Sequence, residues 1–109
     1  MIRITILYPS GPGRRFDRDY YLGNHIPLAL ELLGPAVRSV TVDVGVSPGH
    51  PWPEPAFSAV CTFTCESLAA YQGALLAHAA RLQADLGNYS DIAPIIQISE
   101  LALEHQASP

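Results

Sequence analysis

Of the four histidines and two cysteines, His25, His50 and Cys61 are the side chains expected to converge, where they could move a proton or act as a nucleophile near neutral pH without a metal. An imidazole with an unperturbed pKa of about 6.5 suits general acid–base work, and a thiol beside a histidine can be activated. His25 lies in the stretch FDRDYYLGNHIPLA, residues 16–29. Within it Tyr21, His25, Leu28 and Leu32 follow at spacings of four, three and four, so they share one helical face. Cys61 belongs to an alternating run in which Phe57, Ala59, Cys61, Phe63 and Cys65 point one way. His50 stands in the proline-rich segment SPGHPWPEP, which could fold over one end of the space between helix and strand. Plainer roles compete with each. Buried free cysteine usually serves as a small hydrophobe, a loop histidine is usually solvated, and a histidine in an apolar helical stripe is as often a packed core residue as a base.

Aromatic residues supply the surroundings for such a group. Tyr8, Tyr21, Phe63 and Tyr89 are expected to line a substrate pocket, with a hydroxyl aimed at an oxygen-bearing ligand. Tyr20 and Tyr71 are further candidates or core edges. His78 falls on a helical stripe and His105 in the tail. The four histidines share no metal-ligand spacing and no carboxylates pair as in HExxH, so no metal is expected. PSGPG, residues 9–13, has prolines where a phosphate loop needs free N–H groups. There is no lysine, which excludes Schiff-base chemistry. The net charge of −4 argues against nucleic acid or an acidic membrane surface as partner.

The positioning elements are legible in the spacing. Ile2, Ile4, Ile6 and Tyr8 alternate with Arg3, Thr5 and Leu7 as a first strand. A helix begins with Asp17 as N-cap and runs to about Leu33, where Gly34 and Pro35 stop it. Pro27 sits inside that helix without an N–H to give Gly23, so a kink is expected near Gly23 to Ile26. Val40 to Val46 and Phe57 to Cys65 alternate as strands. Ser67 caps a second helix with Leu68, Tyr71, Leu75, His78 and Leu82 on its buried face, and Asp85 and Asn88 are placed to end it and fix the turn to Tyr89. A last strand begins near Pro94 and includes Ile96 and Ile98.

Strand, helix, strand, strand, helix, strand predicts an α+β, ferredoxin-like βαββαβ fold, with both helices on one face of a four-stranded antiparallel sheet. The 109 residues make one domain over residues 1–104 with a frayed tail, 105–109. On the other sheet face Arg3, Thr5, Leu7, Ser58, Val60, Thr62, Ile95 and Gln97 mix apolar with polar, followed by Leu101 and Leu103. A second sheet packed face to face would cover them, which predicts a homodimer. No apolar run reaches the length of a membrane span, and no signal-peptide pattern opens the chain. Cys61 and Cys65 would lie roughly 13 Å apart on one strand, too far for a disulfide. They read as reduced thiols in a cytoplasmic protein.

The same residues carry a family resemblance. Phe16-Asp17, the pair Tyr20-Tyr21, His25 four residues later and then Pro27-Leu28 resemble the first helix of the EthD family. DLGNYSDIAPIIQISEL, residues 85–101, is similar to that family's segment leading into its last strand, and Ser67, Leu68, Ala70 and Tyr71 resemble the start of its second helix. The resemblance implies a dimeric alpha-beta barrel. By analogy with isomerases and cyclases of that superfamily, it implies cofactor-free proton transfer on a small hydrophobic or aromatic metabolite, with His25 as acid–base residue. An accessory or ligand-carrier protein, or a haem-handling protein using His25, are the competing expectations.

Overall fold

The computed structural model describes residues 1–108; Pro109, the end of the tail expected to fray, lies outside the described residues. Strand β1, Ile2–Pro9, leads to a helical segment in three parts: α1, Arg18–Tyr20, a π-helical turn, Tyr21–His25, and α2, Ile26–Leu33. Strands β2, Ser39–Val44, and β3, Phe57–Cys65, follow, then helix α3, Leu68–Leu86, and strand β4, Ile95–Glu100. All pairings are antiparallel and the strand order is β2-β3-β1-β4. This is the ferredoxin-like arrangement the alternating patterns predict.

Local signals set the element ends. The Asp17 carboxylate accepts from the N–H of Tyr20 at 3.0 Å and the Ser67 hydroxyl from that of Ala70 at 3.1 Å, satisfying donors a helix start leaves free. Gly34 ends α2 with φ of 57°, a conformation costly for any side chain. The irregularity expected around Pro27 takes the form of the π turn: Ile26 donates to the carbonyl of Tyr21, five residues back rather than four. Widening the helix one residue before the proline lets the chain pass a position that has no N–H to give.

The core lies between sheet and helices. Ile4 and Tyr8 of β1 and Ala59, Cys61, Phe63 and Cys65 of β3 meet Tyr21, Ile26, Ala29 and Leu33. Strand pairing keeps these side chains on one face, since Ile4 lies opposite Phe63 on one side and Ile98 on the other. At the β4 edge the cover stops: Ile96 and Ile98 share that face yet are 60% and 50% exposed. The two halves of the chain are also stitched at one end. Phe16 and Ser90 form an isolated antiparallel bridge, and the N–H of Asp17 donates to the Tyr89 carbonyl at 2.7 Å. Among the described residues no helix is long and apolar enough to cross a membrane.

Gly45, just after β2, is fixed by close approach. A Cβ there would collide with the Phe57 carbonyl and come within 2.8 Å of the Pro55 Cβ. Gly73, in the interior of α3, faces open space. We expect Gly45→Ala to lower stability by about 1–3 kcal/mol and Gly73→Ala to raise it by about 1 kcal/mol, read as opposite shifts of the urea midpoint. A neutral Gly45→Ala would show that the β2–β3 connection yields freely.

Candidate functional site

A cavity of about 150 Å³ lies between the sheet and the helices. Its deep end is polar and aromatic, where Tyr8, Tyr21, His25 and Tyr89 converge; its walls toward β4 are apolar, with Leu75, Leu82 and Ile96 among them. All four residues expected to bind substrate, Tyr8, Tyr21, Phe63 and Tyr89, line it. His25, the last residue of the π turn, is 9% exposed. Its ring stacks on Tyr21 with centroids 5.6 Å apart and planes at 17°, and the Tyr89 ring stands 4.6 Å away. The helical phase that puts Tyr21 in the core thus carries His25 with it.

A carboxylate anchors the imidazole. His25 Nδ1 lies 2.9 Å from Asp85 Oδ2. The other carboxylate oxygen, Oδ1, accepts from the Tyr20 hydroxyl at 2.7 Å and from Asn88 Nδ2 at 2.9 Å. Burial by itself would raise the Asp85 carboxyl, but the bonds from Asn88, Tyr20 and His25 together outweigh it and hold its pKa below the ordinary value. Asp85 is therefore ionised and acts only as an acceptor, so Nδ1 carries the proton facing it. In the neutral ring Nε2 then has a free lone pair. It points at the Tyr89 hydroxyl, 3.5 Å away, and that hydroxyl is 2.9 Å from the one on Tyr8. Burial raises the phenols of Tyr8 and Tyr89, which keeps both protonated at neutral pH. The arrangement is an anchored base beside two hydroxyls, opening into an apolar hollow.

The other two chemical candidates stand elsewhere. His50 is exposed in the loop between β2 and β3 and does not line the cavity. Residues 45–54 of this connection are exposed and none lines the cavity, so the segment does not fold over the site. Cys61 is fully buried beneath Tyr21, outside the cavity lining. Burial pushes its thiol up to about 11 despite a hydrogen bond from Tyr21, so it stays a neutral thiol and packs as a hydrophobe. Cys61 and Cys65 are both free and buried. His78, half-buried on α3, is also outside the lining. Among the described residues no group of three or more His, Cys, Asp or Glu could hold a metal ion.

Asp85 and Tyr20 are the residues whose part sequence reasoning misjudged. The local reading of Asp85 is half right, because it does meet Asn88 three positions on. Its bond to His25 spans 60 residues and has no signature in spacing.

Residues 11–93 match the EthD domain. The chain belongs to the EthD family. An EthD-like protein from Ralstonia eutropha JMP134 is 38% identical, with 95% of this chain and 94% of that one covered and a TM-score of 0.89. An ethyl tert-butyl ether degradation (EthD) family protein from Bacillus halodurans C-125 is 20% identical over 94% of this chain and 99% of that one, with a TM-score of 0.69. HapK from Hahella chejuensis shares the fold at 15% identity and a TM-score of 0.56, over 98% of this chain and 99% of its own. No curated protein matches the sequence.

The depressed Asp85 pKa fixes the sign of a pH effect. A carboxyl held below its ordinary value of 3.8 adds stability that is fully present above that value and is lost as pH falls through the lower folded-state pKa. Asp85→Asn should therefore be less stable than the parent at neutral pH, with the gap closing in acid. Thermal melts from pH 7 to pH 2 measure this; parallel curves would show that the carboxylate gains nothing from its three donors.

Proposed function

We propose that this EthD-family protein binds a small hydrophobic or aromatic metabolite in the cavity and acts on it by cofactor-free proton transfer, of the isomerisation or cyclisation kind. The observation that supports this is the anchored imidazole: Nδ1 tied to Asp85 at 2.9 Å, Nε2 turned to the cavity end where Tyr8 and Tyr89 meet. Nε2 takes a proton from an acidic C–H or O–H of the bound ligand. The imidazolium so formed faces the Asp85 carboxylate, which offsets its charge. The Tyr8 and Tyr89 hydroxyls stand at the same end of the cavity, beside the ligand oxygen on which negative charge develops. Nε2 then returns the proton at a different atom, which completes an isomerisation or lets a new ring close.

Exchange of an enolisable aromatic ketone such as 2-tetralone tests the base without knowledge of the natural substrate. In D₂O, NMR should show faster loss of the α-protons in the presence of the protein. His25→Asn should cut the protein-dependent part by about 10²- to 10⁴-fold. Exchange that is not accelerated, or that is unchanged by His25→Asn, would remove the base and favour a ligand carrier.

We also propose that the protein works as a homodimer joined through the sheet face away from the helices. Leu7, Val60 and Ile95 lie there among Thr5 and Thr62, too apolar a surface to be left in water. The buried, free cysteines are in keeping with a reducing, cytoplasmic setting. Light scattering at micromolar concentration should give twice the chain mass, and Val60→Arg should halve it while keeping the circular dichroism. A folded monomer in the parent protein would rule the dimer out.

A further inference from the structure

The hydrogen-bond chain at the deep end of the cavity has a direction, and the direction selects the ligand. Asp85 is an acceptor with three donors aimed at it, so the His25 proton sits on Nδ1. Nε2 is then an acceptor, and in this buried position the hydroxyl of Tyr89 is the hydrogen-bond partner it has. A phenol has a single proton. If Tyr89 gives its proton to Nε2, it must accept from Tyr8 across the 2.9 Å contact. The opposite assignment leaves the buried Nε2 with no donor. Tyr8 in turn has spent its own proton, and what it has left to offer is lone pairs. Tyr21 also reaches the Tyr8 oxygen and the Cys61 sulfur, but a hydroxyl oxygen has two lone pairs and keeps one in reserve.

We propose that the cavity takes its ligand by a hydroxyl that donates to Tyr8, that of a phenol or an enol, and passes the donated proton through Tyr8 and Tyr89 to His25 Nε2. This rests on the reading above that the cavity is a ligand site. The transfer balances in three steps that move together. The ligand O–H breaks as its proton joins the Tyr8 oxygen; the Tyr8 proton moves to the Tyr89 oxygen; the Tyr89 proton moves to Nε2. Both tyrosines end as neutral phenols, the ligand is an anion and His25 is an imidazolium against Asp85. The groups facing His25 are Tyr21 from the first helical segment, Asp85 from α3 and Tyr89 from the loop after it, with Tyr20 behind Asp85 and Tyr8 from β1 behind Tyr89. Among the described residues no arginine lines the cavity, so the counter-charge for the ligand anion is at His25. Apart from Gln83 and the Tyr71 hydroxyl the remainder of the lining is apolar, and a largely apolar cavity of about 150 Å³ is of the size that holds one benzene ring. A single aromatic ring with one hydroxyl fits both ends.

4-Nitrophenol is the probe, because its phenol and phenolate forms absorb at different wavelengths. At a pH where the free compound is mostly phenol, adding the protein should shift the spectrum toward phenolate. The isosteric 4-nitrotoluene, with a methyl in place of the hydroxyl, should bind about tenfold more weakly by calorimetry. Tyr89→Phe breaks the chain in the middle, so 4-nitrophenol bound to that variant should show no shift toward phenolate; His25→Asn should do the same. A bound 4-nitrophenol that stays in the phenol form, or a 4-nitrotoluene that binds at least as tightly, overturns the hydroxyl-donor assignment and leaves the cavity as a ligand site with its base. A shift that survives Tyr89→Phe overturns the relay. Failure of both compounds to bind overturns this inference and the ligand-site reading together.

Discussion

The Asp85 carboxylate is the constraint on which the arrangement depends. It sits at the end of α3 with its side chain 13% exposed, where an unpaired charge would be costly, and three donors remove that cost. Tyr20 and Asn88 hold one oxygen and so fix where the other points. His25 meets that other oxygen, and its ring has no freedom to choose a tautomer. Removing any donor leaves the carboxylate less satisfied, but only the imidazole links the carboxylate to the cavity, because its second nitrogen faces that space.

Pro27 explains why the imidazole is presented from a widened turn. A regular α-helix across residues 21–27 would need an N–H that proline lacks, and the chain absorbs the defect by the longer bond from Ile26 to Tyr21. The π turn occupies Tyr21–His25, so the two rings that stack on each other are its first and last residues. The core residue and the base are set by one local irregularity, and Tyr89 packs against both, at 5.0 Å from the Tyr21 ring and 4.6 Å from the His25 ring.

Period-two and period-four patterns carried the fold, since burial repeats along strands and helices at those spacings. β3 runs from Phe57 to Cys65 as the alternation predicts, and both N-caps are the residues a capping argument selects. His25, Tyr8, Tyr21 and Phe63 were legible for the same reason: each lies in phase with core neighbours, whereas Tyr89 lies in the turn after α3 and has no such phase. Ile96 and Ile98 show the limit of periodicity. They are in phase with Ile4 and Ile6, but position at the sheet edge, which the pattern does not encode, leaves them uncovered. Cys61 was misjudged because the alternation that buries it says nothing of whether it meets solvent or a histidine. His50 was misjudged because proline content predicts a loop and not where the loop goes. Asp85 needed the docking of α3 against the first helical segment, a tertiary fact.

The stitch between the two ends of the chain has a kinetic meaning. Tyr8, Phe16, Tyr20 and His25 come from the first strand–helix–strand half; Asp85, Asn88, Tyr89 and Ser90 come from the second. Every polar contact that defines the imidazole environment crosses from one half to the other, over 60 to 81 residues of chain. Such contacts form late, after the loop-closure entropy of both halves has been met. Neither half carries the site while it folds. An emerging chain holds no oriented imidazole until the segment leading into its last strand is in place, so the appearance of that orientation is itself a clock for the completion of the fold.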